Sequence, residues 1–130
     1  MRKVIKEIPG LKPTAWFSPS VRFGDIVATA GITGIDQSTG DIIEGGLEAQ
    51  IRQIYKLITM AIEPHGASLD DIVKMTIYFT DRKNQFPIFE KIRREIFKKD
   101  PPATTGIGVV EVGKEGLIEM DAIAVIPSEK

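Results

Sequence analysis

Ile72-Val73-Lys74-Met75-Thr76-Ile77-Tyr78-Phe79 is the stretch that decides how this chain folds. Side chains alternate along extended backbone, so Val73, Met75, Ile77 and Phe79 share one face and Lys74, Thr76 and Tyr78 the other. The octet reads as a strand with one buried face. Ser68-Leu69-Asp70-Asp71 leads into it. On either side the apolar period changes from two to between three and four. Upstream, Leu47, Ile51, Ile54, Ile58 and Ala61/Ile62 form one stripe, with Arg52, Gln53, Lys56 and Glu63 mostly opposite. That pattern predicts a helix over 47–62, stopped by Pro64-His65-Gly66. Downstream, Phe86, Phe89, Ile92, Ile96 and Phe97 predict a second helix over 84–99. Lys98 and Lys99 sit at its C-terminal end, where cations offset the helix dipole, and Asp100-Pro101-Pro102 ends it.

Further out, the chain reads as strands. Residues 3–8 suit a short edge strand ended by Pro9-Gly10, and 11–20 read as irregular chain. Val21–Phe23 and Ile26–Ala30 flank Gly24-Asp25, a hairpin signal. Gly31–Gly46 reads as a polar loop turning at Thr39-Gly40-Asp41. Thr104–Val112 and Leu117–Ile126 are the last strands. The order is β-β-β-α-β-α-β-β, an α+β sheet with two helices on one face. In the last strand Leu117, Glu119, Asp121, Ile123 and Val125 share a face. A solvated face does not normally carry Leu, Ile and Val beside its acids, so burial of the helix-free face by association is expected.

Composition narrows the chemistry. The 130 residues are enough for one ordinary domain. Lys plus Arg is 17 and Asp plus Glu 18, without the basic excess of a general nucleic-acid binder. There is no cysteine, which removes disulfides, thiolate catalysis and Cys-ligated metal centres. A single histidine, His65, removes a multi-histidine metal site within one chain. No apolar run approaches the roughly 20 residues of a membrane span, and Met1–Glu7 shows no apolar signal core. A cytoplasmic protein with no membrane association and no cofactor is expected.

Phosphate-loop, dinucleotide, zincin and serine-elbow motifs are absent. Gly45-Gly46 before the first helix suits either an anion at free N–H groups or the geometry of the helix start. His65, in a helix-ending turn, reads as a surface or capping residue. Trp16-Phe17 suits core packing or a pocket wall. Glu119 and Asp121, two apart on one strand face, suit either a solvated, paired surface or base chemistry at an interface.

Several segments together resemble one family. They are Phe17-Ser18, Val21–Asp25, Thr29-Ala30-Gly31, Thr39-Gly40, Gln50, Gly66–Lys74, Phe79-Thr80-Asp81, Pro102-Ala103 and Ile118–Ala124. Gly66–Lys74 and Ile118–Ala124 are the most specific. The chain resembles the Rid family of YjgF type, the reactive-intermediate imine/enamine deaminases, nearly end to end. The resemblance implies one Rid-type domain over 1–130 and a chorismate-mutase-like fold. It also implies a homotrimer around a central barrel, with small-molecule clefts between subunits. The family's best-known activity is hydrolysis of 2-aminoacrylate and related imines to 2-keto acids and ammonia.

Carried over by residue, the resemblance makes Glu119 the water-positioning glutamate in the last strand and Gly31 the cleft glycine. The family's cleft tyrosine falls on Phe17, which keeps the ring without the hydroxyl. The family arginine that holds the substrate carboxylate, after Pro-Ala, falls on Thr104. Loss of such an anchor from a buried site costs about 2–5 kcal/mol if nothing replaces it. Arg22 and Lys74 are the cations considered as substitutes. Thr105 and the Gly106 backbone are expected to add hydrogen bonds to the substrate's polar end.

Three functions follow as expectations. The first is a divergent deaminase-type hydrolase using Glu119 as base, on an altered substrate that is neutral or more apolar than an amino-acid-derived imine because Thr104 and Phe17 stand where the family has arginine and tyrosine. The second is a non-catalytic trimer binding a small metabolite or a protein partner. The third, a translation-inhibiting ribonuclease, has the least support, since basic–aromatic interleaving is absent.

Overall fold

The computed structural model describes residues 2–5 and 18–128. Seven strands form one mixed sheet: β1 (Arg2–Ile5), β2 (Ser20–Phe23), β3 (Ile26–Thr29), β4 (Ile32–Thr33), β5 (Ile72–Phe79), β6 (Ala103–Gly108) and β7 (Ile118–Val125). Two helices accompany them, α1 (Gly46–Ile62) and α2 (Arg82–Ile96). The path across the sheet is β1-β2-β3-β7-β5-β6, and β4 also pairs with β7. All pairs are antiparallel except β5–β6, which α2 connects.

Both helices cover one face. Met75, Ile77, Phe79, Ile118, Met120, Ala122 and Ala124 are buried there against Ile51, Ile54, Leu57, Ile58, Ala61 and Ile62 of α1 and Phe89 and Ile92 of α2. Burial of each large side chain contributes about 1.5–3 kcal/mol. Edge-on ring contacts of Phe79 with Phe86 and Phe89 seat α2.

The strand octet has the expected bounds, but Val73 is not in the core. A bulge between Ile72 and Lys74 shifts the register, so Ile72 is buried and Val73 is 50% exposed. Gln53 belongs to the buried face of α1, where its Nε2 donates to the Ile35 carbonyl at 2.7 Å. The second helix starts at Arg82, two residues early, because the Gln85 N–H already donates to the Asp81 carbonyl. It ends at Ile96, so Lys98 and Lys99 lie beyond it and not in its last turn. β6 stops at Gly108, where the Val109 N–H turns to the Phe79 carbonyl.

The loop after β3 contains β4, a strand too short for any periodicity to reveal. Ala28 faces Ile123 and Ile32 faces Met120. Four steps along the first segment therefore span three along β7, and the chain bulges at Ala30-Gly31. The Thr29 hydroxyl accepts the Ala122 N–H there, at 3.0 Å. Of the expected first strand, only Arg2–Ile5 is described; Pro9-Gly10 and Trp16-Phe17 lie outside the described residues. At the start of α1, Gly45 and Gly46 both have positive φ, and a Cβ on Gly45 would press on Ala49. This pair serves the geometry of the helix start.

Candidate functional site

Glu119 occupies the helix-free face of β7, between Thr33 of β4 and Tyr78 of β5. Its Oε1 accepts the Gly113 N–H at 3.1 Å. Its Oε2 fills the space beside Gly31, where any Cβ would overlap it. The bulge before β4 brings Gly31 to that position, so two backbone glycines bracket the carboxylate. Among the described residues Glu119 forms no ion pair.

Asp121 shares this face, and its Oδ2 accepts the Tyr78 hydroxyl at 2.8 Å. That hydrogen bond, reinforced by partial burial and the neighbouring acids, raises the Tyr78 pKa. On the same face Lys74 Nζ donates to Thr105 Oγ1 at 2.5 Å. Around this polar strip stand Phe23, Ile26, Ile107, Ile123 and Val125, each at least 39% exposed. The acids are thus set in apolar surface, as the alternation in β7 implied.

The three β6 residues expected to bind substrate do not share one face. Thr105 pairs with Thr76 and points outward, whereas Thr104 pairs with Met75 on the helix side. The Thr104 hydroxyl donates to the Pro102 carbonyl at 2.9 Å. Gly106 also belongs to the helix side, where an added Cβ would meet the Phe79 ring at 3.1 Å. Thr104 and Glu119 lie on opposite faces with β5 between them, so one chain cannot bring them to one small ligand. Phe17 lies outside the described residues.

Neither considered substitute for the missing arginine reaches Thr104. Arg22 Nη1 donates to the His65 carbonyl and its Nε to the Gly24 carbonyl, on β2 across the sheet. Lys74 is on the outer face. A cation that sequence reasoning passed over is nearer: Arg82 Nε donates to the Gly106 carbonyl at 3.2 Å. Its signal in the sequence was weak, since a single arginine at a helix start has no periodicity.

His65 corrects another expectation. It is buried, not at the surface, with Nε2 3.0 Å from the Ser20 hydroxyl. Ser20 donates to the Ala61 carbonyl at 2.7 Å, which sets it as an acceptor toward a protonated Nε2. Desolvation, with Lys3 and Arg22 adding to it, holds the imidazole pKa below its usual value.

The endoribonuclease L-PSP family model matches residues 8–126. The chain belongs to this family, also called the YjgF/Rid/RutC family. A RutC family protein of Pyrococcus abyssi is 35% identical over 87% of this chain and 88% of its own length. A Dermatophagoides farinae relative named 2-iminobutanoate/2-iminopropanoate deaminase is 26% identical over 96% of this chain and 97% of its own. A solved Rhodopseudomonas palustris protein, titled a probable translation initiation inhibitor, is 28% identical. It superposes with a TM-score of 0.90 over 98% of this chain and 100% of that one. As in these family folds, two helices back a mixed sheet. No helix among the described residues is long and apolar enough to cross a membrane.

Proposed function

We propose that this L-PSP family member is an imine/enamine deaminase-type hydrolase that acts at a cleft between subunits of a homotrimer. The observation that carries the proposal is the setting of Glu119. Its carboxylate is held by one backbone N–H, bordered by a glycine and without an ion pair among the described residues, on an outer face rich in apolar side chains. Such a group can position a water and accept its proton. Water oxygen adds to the imine carbon as one water proton passes to Glu119, and Glu119 returns that proton to the nitrogen to give the carbinolamine. The C–N bond then breaks as the carbinolamine hydroxyl proton passes through Glu119 to the amine, which leaves as ammonia and leaves a carbonyl compound.

Two observations support assembly. The outer sheet face exposes several large apolar side chains, more than a solvated surface needs. Thr104 and Gly106, on the helix side, also meet a common ligand with Glu119 only when two copies meet. The similarity to a protein named an iminobutanoate deaminase points to the same reaction class.

Thr104 favours a second reading. Its hydroxyl is already spent on Pro102, so at this position no group anchors a carboxylate, and the cleft could bind a metabolite without converting it. A ribonuclease role gains nothing, because the one imidazole is buried behind Ser20.

The test generates 2-iminobutanoate in situ with an amino-acid oxidase and follows its decay. Wild type should accelerate the decay, and Glu119→Gln should lose about 100-fold or more of kcat. Full turnover by Glu119→Gln would remove Glu119 from the mechanism. Tight binding of 2-oxobutanoate with no turnover would establish the binding module instead.

A further inference from the structure

Lys114 and Glu115 both have a φ of 58°, in the left-handed region that residues with a Cβ seldom occupy. They form the middle of the turn Gly113–Gly116, which closes where the Gly116 N–H donates to the Gly113 carbonyl at 3.0 Å. Two such residues in succession persist only where their surroundings fix them. The residue that fixes them is Gln50 of α1. Its Oε1 accepts the Leu117 N–H at 2.8 Å, directly after the turn, and a Cβ on Gly116 would stand 3.5 Å from that same oxygen. A Cβ on Gly34 would overlap the Gln50 backbone, so α1 also presses on the chain just after Thr33. Thr33 is the β4 partner of Glu119. One buried residue thus holds both segments that flank the acid.

The first residue of the turn reaches the carboxylate itself. The Gly113 N–H donates to Glu119 Oε1, and a Cβ on Gly113 would stand 3.4 Å from that oxygen and 3.6 Å from Thr33 Cγ2. Oε2 lies beside Gly31 and makes no hydrogen bond or ion pair among the described residues. The two oxygens are therefore unequal. We infer that the left-handed turn is a positioning device for Glu119: the Gly113 N–H pins Oε1, Gln50 locks the backbone that carries this N–H, and Oε2 is the oxygen left to take and return the proton. The inference rests on the catalytic reading of Glu119 and deepens it. Gly113 and Gln50 are positioning residues, acting through the carboxylate. A carboxylate pinned at one oxygen by backbone that cannot swing keeps the other aimed at one point, as proton transfer over about 3 Å requires.

Two substitutions at residue 113 separate the N–H from the space around it. Val112 is extended, at φ −123° and ψ 175°, the backbone a following proline needs. Gly113 does not have a positive φ, and the first position of a helical turn accepts proline. Gly113→Ala adds a methyl and keeps the N–H, whereas Gly113→Pro removes the N–H. With 2-iminobutanoate, kcat of Gly113→Pro should fall about tenfold or more below that of Gly113→Ala, at similar KM. Gln50→Leu reaches the same hydrogen bond without altering the turn, and should also lower kcat more than it changes KM. Independently of turnover, the Gly113 amide proton is followed by NMR in the intact protein. Its shift should step with pH as Glu119 ionises, and the step should vanish in Glu119→Gln.

Equal kcat in Gly113→Ala and Gly113→Pro would overturn the inference, and so would a Gly113 amide without the pH step in wild type. Full kcat in Gln50→Leu would remove Gln50 from the device. The outcome is separable from the fate of the catalytic reading. If Glu119→Gln stops turnover while Gly113→Pro matches Gly113→Ala, the base stands and the positioning is wrong. If the amide step is present while Glu119→Gln turns over normally, the carboxylate is held as described and the catalytic reading falls, taking the role of Oε2 with it.

Discussion

Gly31 stands so close to Glu119 that the carboxylate Oε2 occupies the volume a side chain at residue 31 would need. The contact is made by the one-residue bulge between β3 and β4, which places a glycine Cα beside the acid. Gly31→Ala should leave the fold in place and displace the carboxylate, because the far end of a flexible side chain yields before a strand does. Displacement of a reacting group by about 1 Å can cost about 100-fold in rate. Steady-state imine hydrolysis beside a thermal melt would show this as a fall in kcat with little change in Tm.

The buried Ser20–His65 pair predicts a pH-dependent stability. In the unfolded chain the imidazole takes up a proton near 6.5, and in the folded chain desolvation, Lys3 and Arg22 hold its pKa lower. The unfolded state therefore binds more protons over this window, and stability declines as pH falls. The decline begins near 6.5 and levels off below the folded pKa. Urea midpoints at pH 7.5 and pH 5 should differ in wild type and differ less in His65→Gln. An unchanged slope in that variant would place the effect elsewhere.

Gln50 is buried in α1, and its Oε1 accepts the Leu117 N–H at 2.8 Å. Gln50→Leu keeps the apolar volume and strands that donor just before β7. A loss of roughly 1–3 kcal/mol is expected. Urea denaturation would read it as a lower midpoint with an unchanged m-value.

Tyr78 should titrate high because it donates to Asp121 and faces acids. Asp121→Asn removes the charge and should bring its pKa down toward the ordinary tyrosine value. Ultraviolet titration of tyrosinate, with Tyr78→Phe as the reference for Tyr55, measures the shift.

These cases show which features could be read before any coordinates. β5 and α1 were legible because many residues repeat one signal, and so was the mixed face of β7. β4 was not, since two residues carry no period. Val73 was misplaced because alternation assumes an unbroken ladder and the bulge breaks it. Gln53 and His65 were assigned to the surface because their partners, Ile35 and Ser20, are distant in sequence. Polarity predicts exposure only where no such partner exists. At the candidate site, Glu119 and Gly31 were legible through family resemblance and do adjoin. The division of Thr104 and Thr105 between opposite faces was not, because it depends on the register of β6 against β5.

The place of β7 has a consequence for how the molecule assembles. It is the last strand in order, yet it lies between β3 and β5 and joins the β1–β4 region to the β5–β6 region. Until residues 118–125 dock, β3 and β5 each present an open edge. Ala28 must find Ile123 across most of the chain. Such long loop closure slows folding, and open edges invite pairing with other molecules. The interval before β7 docks is thus when this chain is most exposed to aggregation, and substitutions that slow that docking should lower soluble yield even where the finished fold tolerates them.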